Sequence, residues 1–502
     1  MNNLAVMPVI VPALAGVVGL FWWRCGTARR VAFALVGLAQ LVLALVLVDS
    51  ARTHGPAVLG VGGWAAPYGI AIIVDRLSAI MLTLGAITAL ASMLYGFAQQ
   101  PVRFEHPLRL PLVQFLVAGI SLSFATADLF NLFVAFEVML IASYALLTLE
   151  ADDRDVKHAL PYLTVNLVGG ALFLGAAGLA YGLFGTLNFA GIAARAVEMS
   201  GDPRVMAWAV LLLTVFAIKA GVFPLYYWLP NAYPILPAPV AALYSGMLTK
   251  VGVYVLLRAC GTLLPHDLTG LHAALAWLAG LTMILGVLGA VSRNFIRGIL
   301  SFHILSQIGF MVLAIGFFTE YAVAAAVFYI VHHIIVKSSL FMAGGVVGVL
   351  NRSDDLDRSA NLWRTMPVVG LLFLLPALSL AGLPPLSGFW GKYMIVVEGV
   401  RQGQWVLVVL SLVASVLTLF SMLKIWNTSF WAEDPSVPVR RDDGRWRGMA
   451  AVTGGMVVLS LAIGLGAAPF MDLAFETARE VLDQEGYVRL VLGAAGEAVA
   501  AP

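Results

Sequence analysis

Long apolar runs recur along the whole chain, and they constrain its fold more than any other feature of the sequence. Most are about 20 residues or longer, which is the length that an α-helix needs to cross a bilayer and about twice that of a barrel strand. Only 11% of the residues are charged, against roughly 25% in soluble domains. The sequence therefore predicts an all-α polytopic membrane protein and excludes soluble, disordered, collagen-like and disulfide-stapled chains.

Polar breaks divide these runs into about fourteen predicted transmembrane helices. They lie near residues 4–22, 31–49, 69–97, 108–125, 128–149, 158–184, 205–229, 238–260, 268–290, 297–317, 320–350, 366–397, 404–427 and 448–470. Odd-numbered connections carry 17 Lys and Arg residues, whereas even-numbered connections and the tail, counting Arg258, carry 8. By the positive-inside rule the odd connections face the cytoplasm, so both termini are predicted to lie outside it.

The remaining lysines, and one glutamate, fall inside predicted spans. They are Lys219, Lys250, Lys337, Lys392 and Glu137. A charge at the bilayer centre costs about 2.5–3.5 kcal/mol on insertion scales, so intramembrane charges usually mark an ion or proton path. Structural ion pairs, or lysines that snorkel to the interface, are the alternative for single members. Snorkelling fails for Glu137, which is central in NLFVAFEVMLIASYALL.

Three histidines extend this set of buried titratable groups: His303, His332 and His333. His333 and Lys337 are spaced i,i+4 and share a helix face. Imidazole titrates near neutral pH, so these residues, with Ser301 and Ser306 on the preceding span, are predicted to relay protons. The sequence has no H-x-x-x-H or H-E-x-x-H spacing and no phosphate-binding glycine loop, so neither a metal nor another cofactor is expected.

Two spans are interrupted by proline beside a buried lysine. The first, KAGVFPLYYWLPNAYPILPAPV, contains Lys219 and Pro224; the second, AGLPPLSGFWGKYMIV, contains Pro384, Pro385 and Lys392. Proline removes a backbone donor, and the carbonyls it frees are tolerated in a bilayer only inside protein or along a wet cavity. Four identities at a constant offset of 161 residues relate the two segments. Paired interrupted spans predict two repeats, with one half-channel in each and a central line of titratable residues between them.

Six segments together resemble the antiporter-like family that Mrp-type cation/proton antiporters share with the proton-pumping membrane arm of complex I. They are FEVMLIASYALL, KAGVFPLYYWLPNAYP, LTKVGVYVLLR, SFHILSQIGFM, HHIIVKSSLFMAGG and ALSLAGLPPLSGFWGKYMI. Lys392, GGWAAPYGIAIIVDRLSAIM and KIWNTSFW are most similar to the branch of the family formed by the D-type subunits of Mrp. Tyr233 stands where complex I members carry histidine, which also favours Mrp and leaves a role at 233 open.

The resemblance implies a proton-translocating subunit of a multisubunit Na⁺/H⁺ antiporter in a bacterial plasma membrane, with other Mrp subunits as partners. It implies that Glu137 pairs with Lys219 and that Lys250, His332, His333, Lys337 and Lys392 continue the path, supported by His303 and the break prolines. It divides the chain into N-terminal helices (1–107), repeats at 108–260 and 261–427, and helix 14 with an amphipathic tail (428–502).

Three other functions stay open from the sequence. One is a pumping subunit of complex I or of a membrane-bound hydrogenase. Another is a solitary solute permease, which the buried lysines without a substrate-binding arginine disfavour. The third is a scaffold subunit, which has no use for buried charges. The sequence does not place a sodium path, for which only Glu137, Asp75 and Asp128 offer carboxylates near a span.

Overall fold

A computed structural model describes residues 2–64, 66–149, 153–439 and 444–493. Twenty α-helices account for most of these residues. They are α1 (Met7–Phe21), α2 (Thr27–Thr53), α3 (Arg76–Gln99), α4 (Arg109–Ala125), α5 (Leu129–Thr148), α6 (Asp153–Phe184), α7 (Phe189–Glu198), α8 (Pro203–Ala220), α9 (Trp228–Ala232), α10 (Ala238–Arg258), α11 (Thr269–Val291), α12 (Ile296–Phe317), α13 (Glu320–Asn351), α14 (Leu362–Thr365), α15 (Pro367–Ala381), α16 (Ser387–Arg401), α17 (Trp405–Ile425), α18 (Arg445–Leu465), α19 (Ala467–Leu482) and α20 (Gln484–Leu492).

Twelve helices in the described ranges are long and apolar enough to cross a membrane. Two shorter apolar helices, α4 and α15, coincide with two further predicted spans. The all-helical membrane architecture is thereby confirmed, while the total of fourteen spans and the division at 107, 260 and 427 stay predictions. Arg440, Arg441 and the tail 494–502, which entered the orientation argument, lie outside the described residues, as does the side chain of Arg154.

The predicted span at 69–97 is wrong at its start, because its first residues form a strand. Strand β2 (Ala71–Val74) pairs antiparallel with β1 (Ala57–Gly60), and Ala57 lies opposite Val74. The Asp75 side chain then accepts a hydrogen bond from the Ser78 backbone N–H at 2.8 Å and caps α3. Hydropathy cannot separate the four buried residues of β2 from the helix that follows.

Both predicted helix breaks are present and share one backbone form. Helices α8 and α15 end in left-handed glycines, Gly221 (φ 78°) and Gly382 (φ 95°). The N–H groups of each glycine and of the next residue donate back to one carbonyl, at 2.9 Å in the first break and 3.1 and 3.2 Å in the second. A residue with a Cβ would be strained at these turns. The spans at 205–229 and 366–397 are therefore interrupted as predicted, since α8 and α15 end at the breaks and α9 and α16 begin beyond them.

The centre of the fold consists of α10, α12 and the 32-residue α13, which are largely enclosed by the other helices. The assignment of Arg258 to a loop is wrong. This residue occupies the last turn of α10, is 5% exposed, and forms a two-pronged ion pair with Asp75 at 2.6 and 2.8 Å. The pair ties α10 to the start of α3, next to the β-hairpin.

Candidate functional site

Lys219 is buried in the last turn of α8, where its predicted ionic contact with Glu137 is not formed. Its Nζ instead donates to Asn166 Oδ1 on α6 at 3.3 Å and lies 5.6 Å from the centre of the Phe136 ring. No carboxylate oxygen of a described residue lies within 4 Å of Lys219 Nζ. Glu137 follows Phe136 on α5, so its charge still lies in the surroundings of the lysine, with an amide as the direct partner.

Lys250 and Lys337 are fully buried in the central helices α10 and α13. The Nζ of Lys250 donates to the Ser245 carbonyl and, at 3.1 Å, to the Thr249 hydroxyl. Lys337 Nζ has no hydrogen-bond partner in the described part of the chain and lies 5.8 Å from the Phe341 ring centre. The structure therefore places two of the predicted cations in the protein interior, with few groups to neutralise them.

Each of two buried histidines contacts a serine on another helix. His303 Nε2 lies 2.5 Å from Ser421 Oγ on α17, and His332 Nδ1 lies 2.8 Å from Ser387 Oγ at the start of α16. Ser421 Oγ also lies 3.1 and 3.0 Å from the Leu417 and Thr418 carbonyls of its own helix, so it donates to one of these or to His303 according to the histidine tautomer. The expected relay partner Ser301 only donates to the Arg297 carbonyl on its own helix.

Lys392 closes the second break. Its Nζ donates to the Leu380 and Ala381 carbonyls at 2.9 and 3.1 Å and lies 4.6 Å from the centre of the Phe310 ring. These are the last carbonyls of α15, which the helix itself leaves unpaired. The negative end of α15 therefore faces the lysine ammonium, an arrangement that stabilises the cation.

Buried polar atoms without a partner concentrate on two facing helices. Within the described residues, eight such atoms belong to α12 and α13: His303 Nδ1, Ser306 Oγ, Gln307 Nε2, His332 Nε2, both nitrogens of His333, Lys337 Nζ and, at the end of α13, Asn351 Oδ1. Leaving a buried polar group unpaired costs about 1–3 kcal/mol. A cluster of such groups in a close-packed core indicates a functional site, because packing alone would select apolar side chains there.

Sequence reasoning missed Asn166, Ser387 and Ser421 as partners of the titratable residues. Asn166 is a lone amide in the apolar run YLTVNLVGG, a signal that was present in the sequence. The two serines carry no such signal, because serine is common in membrane helices. Tyr233, left open from the sequence, is buried with its hydroxyl unpartnered among described residues, and its ring packs 6.0 Å from Trp228.

The other two carboxylates considered for sodium are occupied in the fold. Burial raises the pKa of Asp75, but the charge and hydrogen bonds of Arg258 outweigh it and hold that pKa below its ordinary value. Asp128 accepts from the Asn131 N–H at 2.8 Å and caps α5, and burial raises its pKa. Among the described residues no three His, Cys, Asp or Glu side chains are grouped so as to hold a metal ion.

A cavity of about 340 Å³ opens where α11 begins and α12 and α16 end. His266, His272, Phe318 and Gln402 contribute to its lining. Gln402 also donates to Glu398 Oε1 at 3.0 Å. Glu398 is 5% exposed and accepts a second hydrogen bond, at 2.8 Å, from the Thr319 hydroxyl. This buried carboxylate thus lies on α16, the helix that carries Lys392, and contacts a residue of the cavity lining.

Comparisons with known proteins find relatives that match most of the chain. A family model described as NADH:quinone oxidoreductase/Mrp antiporter, transmembrane, matches residues 126–418. The D subunit of the Na(+)/H(+) antiporter of Alkalihalophilus pseudofirmus is 36% identical over 494 residues, covering 98% of this chain and 100% of the relative. A chain of the Mrp complex from Dietzia sp. superposes with a TM-score of 0.91 at 32% identity, covering 98% and 99% of the two chains.

A chain of respiratory complex I from Thermus thermophilus superposes less closely, with a TM-score of 0.74 at 26% identity over 93% of this chain and 100% of that one. The matched region 126–418 contains all the residues of the predicted proton path and its supporting residues: Glu137, Lys219, Pro224, Lys250, His303, His332, His333, Lys337, Pro384, Pro385 and Lys392. On the family match and on the full-length similarity to an antiporter D subunit, this chain belongs to the NADH:quinone oxidoreductase/Mrp antiporter transmembrane family.

Proposed function

We propose that this chain is the proton-translocating, D-type subunit of a multisubunit Na⁺/H⁺ antiporter. Protons move along a line that begins at the half-buried Glu137 and continues through buried side chains: Lys219, Lys250, the His332/His333/Lys337 group and Lys392. The observation that carries this proposal is the row of unpartnered buried polar atoms on α12 and α13, between two lysines at helix breaks. Groups that take up and release protons gain nothing from permanent partners, whereas structural polar groups need them.

The two lysines beside the helix breaks, Lys219 and Lys392, differ in their hydrogen-bond partners. Lys219 has a neutral amide as its direct partner and a carboxylate nearby, whereas Lys392 has two carbonyls at the end of α15. Burial disfavours the charged form of a lysine, and nearby negative charge favours it. Small movements at either break change that balance, and this is the basis we propose for alternately holding and releasing a proton.

The partial exposure of Glu137 supports the proposed assembly of this chain with other subunits. It is only half-buried, and its neighbours Val134, Val138 and Ile141 are 37%, 38% and 63% exposed. A carboxylate on an apolar face within the membrane is costly when it faces lipid. We infer that a partner subunit covers this face and lines the far side of Glu137.

The 340 Å³ cavity supports a second half-channel that ends at the predicted outer face. It lies at three even-numbered connections, which the charge distribution assigns to the outside. Glu398 is six residues beyond Lys392 on α16, about 9 Å along the helix axis. In this proposal both termini also lie outside the cytoplasm of a bacterium, and the membrane is the plasma membrane.

The test uses the whole complex in inverted membrane vesicles, with Na⁺-dependent collapse of an imposed pH gradient as the signal. Glu137→Gln keeps the shape and removes the charge, so we expect assembly to be retained and transport to be lost. Glu320→Gln is the control, because Glu320 is an exposed acid that pairs with Arg479 at 2.7 Å. Transport at the wild-type rate in Glu137→Gln vesicles would overturn the proposal.

The complex I superposition keeps one alternative in view, a pumping subunit of a redox-driven complex. The two functions differ in the partner chains. Purification of the assembly through a tag on this chain decides between them: antiporter subunits alone support the proposal, and flavin or iron–sulfur subunits in the complex contradict it.

A further inference from the structure

Ser387 is the centre of a buried hydroxyl cluster at the second helix break. Its Oγ lies 2.8 Å from His332 Nδ1, 3.0 Å from Ser379 Oγ and 3.5 Å from Ser460 Oγ. The four residues come from α13, α15, α16 and α18, and none is more than 4% exposed. The cluster therefore connects His332 of the proposed proton path to α15, α16 and α18. Of these three helices only α16 carries another member of the path, Lys392.

The hydrogen count of this cluster accommodates either tautomer of neutral His332. Ser379 Oγ accepts from the Gly388 N–H at 3.3 Å, and the serines have no acceptors in the described structure outside the cluster. If Nδ1 is unprotonated, Ser387 donates to it while Ser379 and Ser460 both donate to Ser387 Oγ. All three hydroxyl hydrogens are then used, and the hydrogen on Nε2 has no acceptor among the described residues. If Nδ1 carries the hydrogen instead, it donates to Ser387 Oγ and one serine hydrogen has no acceptor. Ser387 therefore contacts Nδ1 in either state, as acceptor or as donor.

The opposite edge of the imidazole is free. His332 Nε2 is buried and has no partner among the described residues. The centre of the Tyr329 ring lies 5.1 Å from the centre of the His332 ring. The ring also touches the start of α16, because a Cβ on Gly388 would come within 2.9 Å of His332 Cε1. One nitrogen is thus held by the serine cluster, and the other is left for exchange.

We propose that Ser387 is a positioning residue for His332. Its hydroxyl donates to Nδ1 when that nitrogen is unprotonated, and it turns toward Ser379 or Ser460 when a transported proton makes the ring cationic. In the cation the Nδ1–H donates to Ser387 Oγ, and no proton is lost from the cluster. The inference rests on the proposed function of His332 and adds Ser387, Ser379 and Ser460, which no comparison assigns a role.

The experiment measures Na⁺-dependent proton movement by the whole complex at equal amounts of assembled protein. In metal sites, removing the hydrogen-bond partner that orients a histidine typically lowers metal affinity or activity 10- to 100-fold. We expect the lower end of this range for His332, so Ser387→Ala should lower the maximal rate of transport about tenfold. The apparent KM for Na⁺ should not change, because the cluster contacts His332 rather than a cation site. Ser379→Ala, which removes one donor to Ser387, should have a smaller effect in the same direction.

Ser411→Ala is the matched control. Ser411 is also buried, but its hydroxyl donates only to the Val408 carbonyl of its own helix, at 2.7 Å. A general packing defect would lower all three serine variants equally, and this outcome overturns the inference, as does a rise in KM at an unchanged maximal rate. If Ser387→Ala does not assemble, the comparison of Ser379→Ala with Ser411→Ala decides.

The same vesicles separate this inference from the proposed function. If the wild-type complex moves no protons in response to Na⁺, the proposed function fails. If Glu137→Gln abolishes transport while Ser387→Ala keeps the rate of Ser411→Ala, the proposed function stands and only the positioning role of Ser387 is refuted.

Discussion

Replacing Lys392 by arginine or methionine tests whether the second helix break holds an exchangeable proton or only a positive charge. Lys392 Nζ donates to the last two carbonyls of α15, and the side chain is buried. Arginine keeps the charge and the donors, but a guanidinium does not deprotonate in proteins. Methionine is similar in length and lacks both charge and donors. We expect both variants to lose transport, and only methionine to weaken the fold.

The expected magnitudes follow from these contacts. Methionine leaves the Leu380 and Ala381 carbonyls without their ammonium partner, at about 1–3 kcal/mol each, offset in part because a buried charge is also removed. The loss of transport is larger. A unit charge acts on a neighbour 4 Å away with about 4 kcal/mol at an effective dielectric near 20. Losing that step corresponds to about a thousandfold slower turnover.

The assay combines sodium-dependent pH change in inverted vesicles with native gel electrophoresis and a melting curve of the purified complex. We expect Lys392→Arg to assemble and melt near the wild type while its rate falls to background. We expect Lys392→Met to melt lower and to be equally inactive. An arginine variant that transports at the wild-type rate would refute proton release at this site, and Lys392 would then have only a structural role.

Three further predictions concern other parts of the chain. Lys219→Arg should assemble and fail to transport, for the same reason as at 392; a normal rate in vesicles contradicts proton exchange there. Asp75→Asn leaves Arg258 buried without its partner and should destabilise the fold by about 3–5 kcal/mol, whereas adding Arg258→Met should restore most of the melting temperature. Burial, and then the nearby Asp75 charge, raise the pKa of Glu480 from 4.5 to about 7 despite Arg76. Because this pKa is raised in the folded state, protonated Glu480 contributes to the stability of the fold below pH 4.5, and that contribution is lost as the pH rises to 7. Hydrogen exchange in α19 should therefore quicken between pH 4.5 and 7, and Glu480→Gln should abolish this pH dependence.

The sequence by itself determined the membrane architecture and the list of titratable residues. Both can be read from short stretches of sequence. An apolar run of about 20 residues is stable in a bilayer only as a helix, and a charged residue within such a run is costly enough to indicate a function. The breaks after Lys219 and before Lys392 were equally local, since the glycine and proline positions specify where each helix stops. These features needed no knowledge of how the helices pack.

The tertiary structure decided which residues touch. Lys219 binds Asn166 rather than Glu137, and Arg258 binds Asp75 across 183 residues of sequence. The charge count grouped Arg258 with the loops, although the residue lies within the predicted span 238–260. A count along the chain contains nothing about the strand and cap that bring Asp75 to the end of α10.

The serine partners of the histidines show the limit most clearly. Ser387 is 55 residues from His332, and Ser421 is 118 residues from His303. In a fully apolar span every face of the helix is buried, so periodicity does not report the direction of a small polar side chain. Which serine meets which histidine depends on helix rotation and crossing, and these are set only when all the helices pack together.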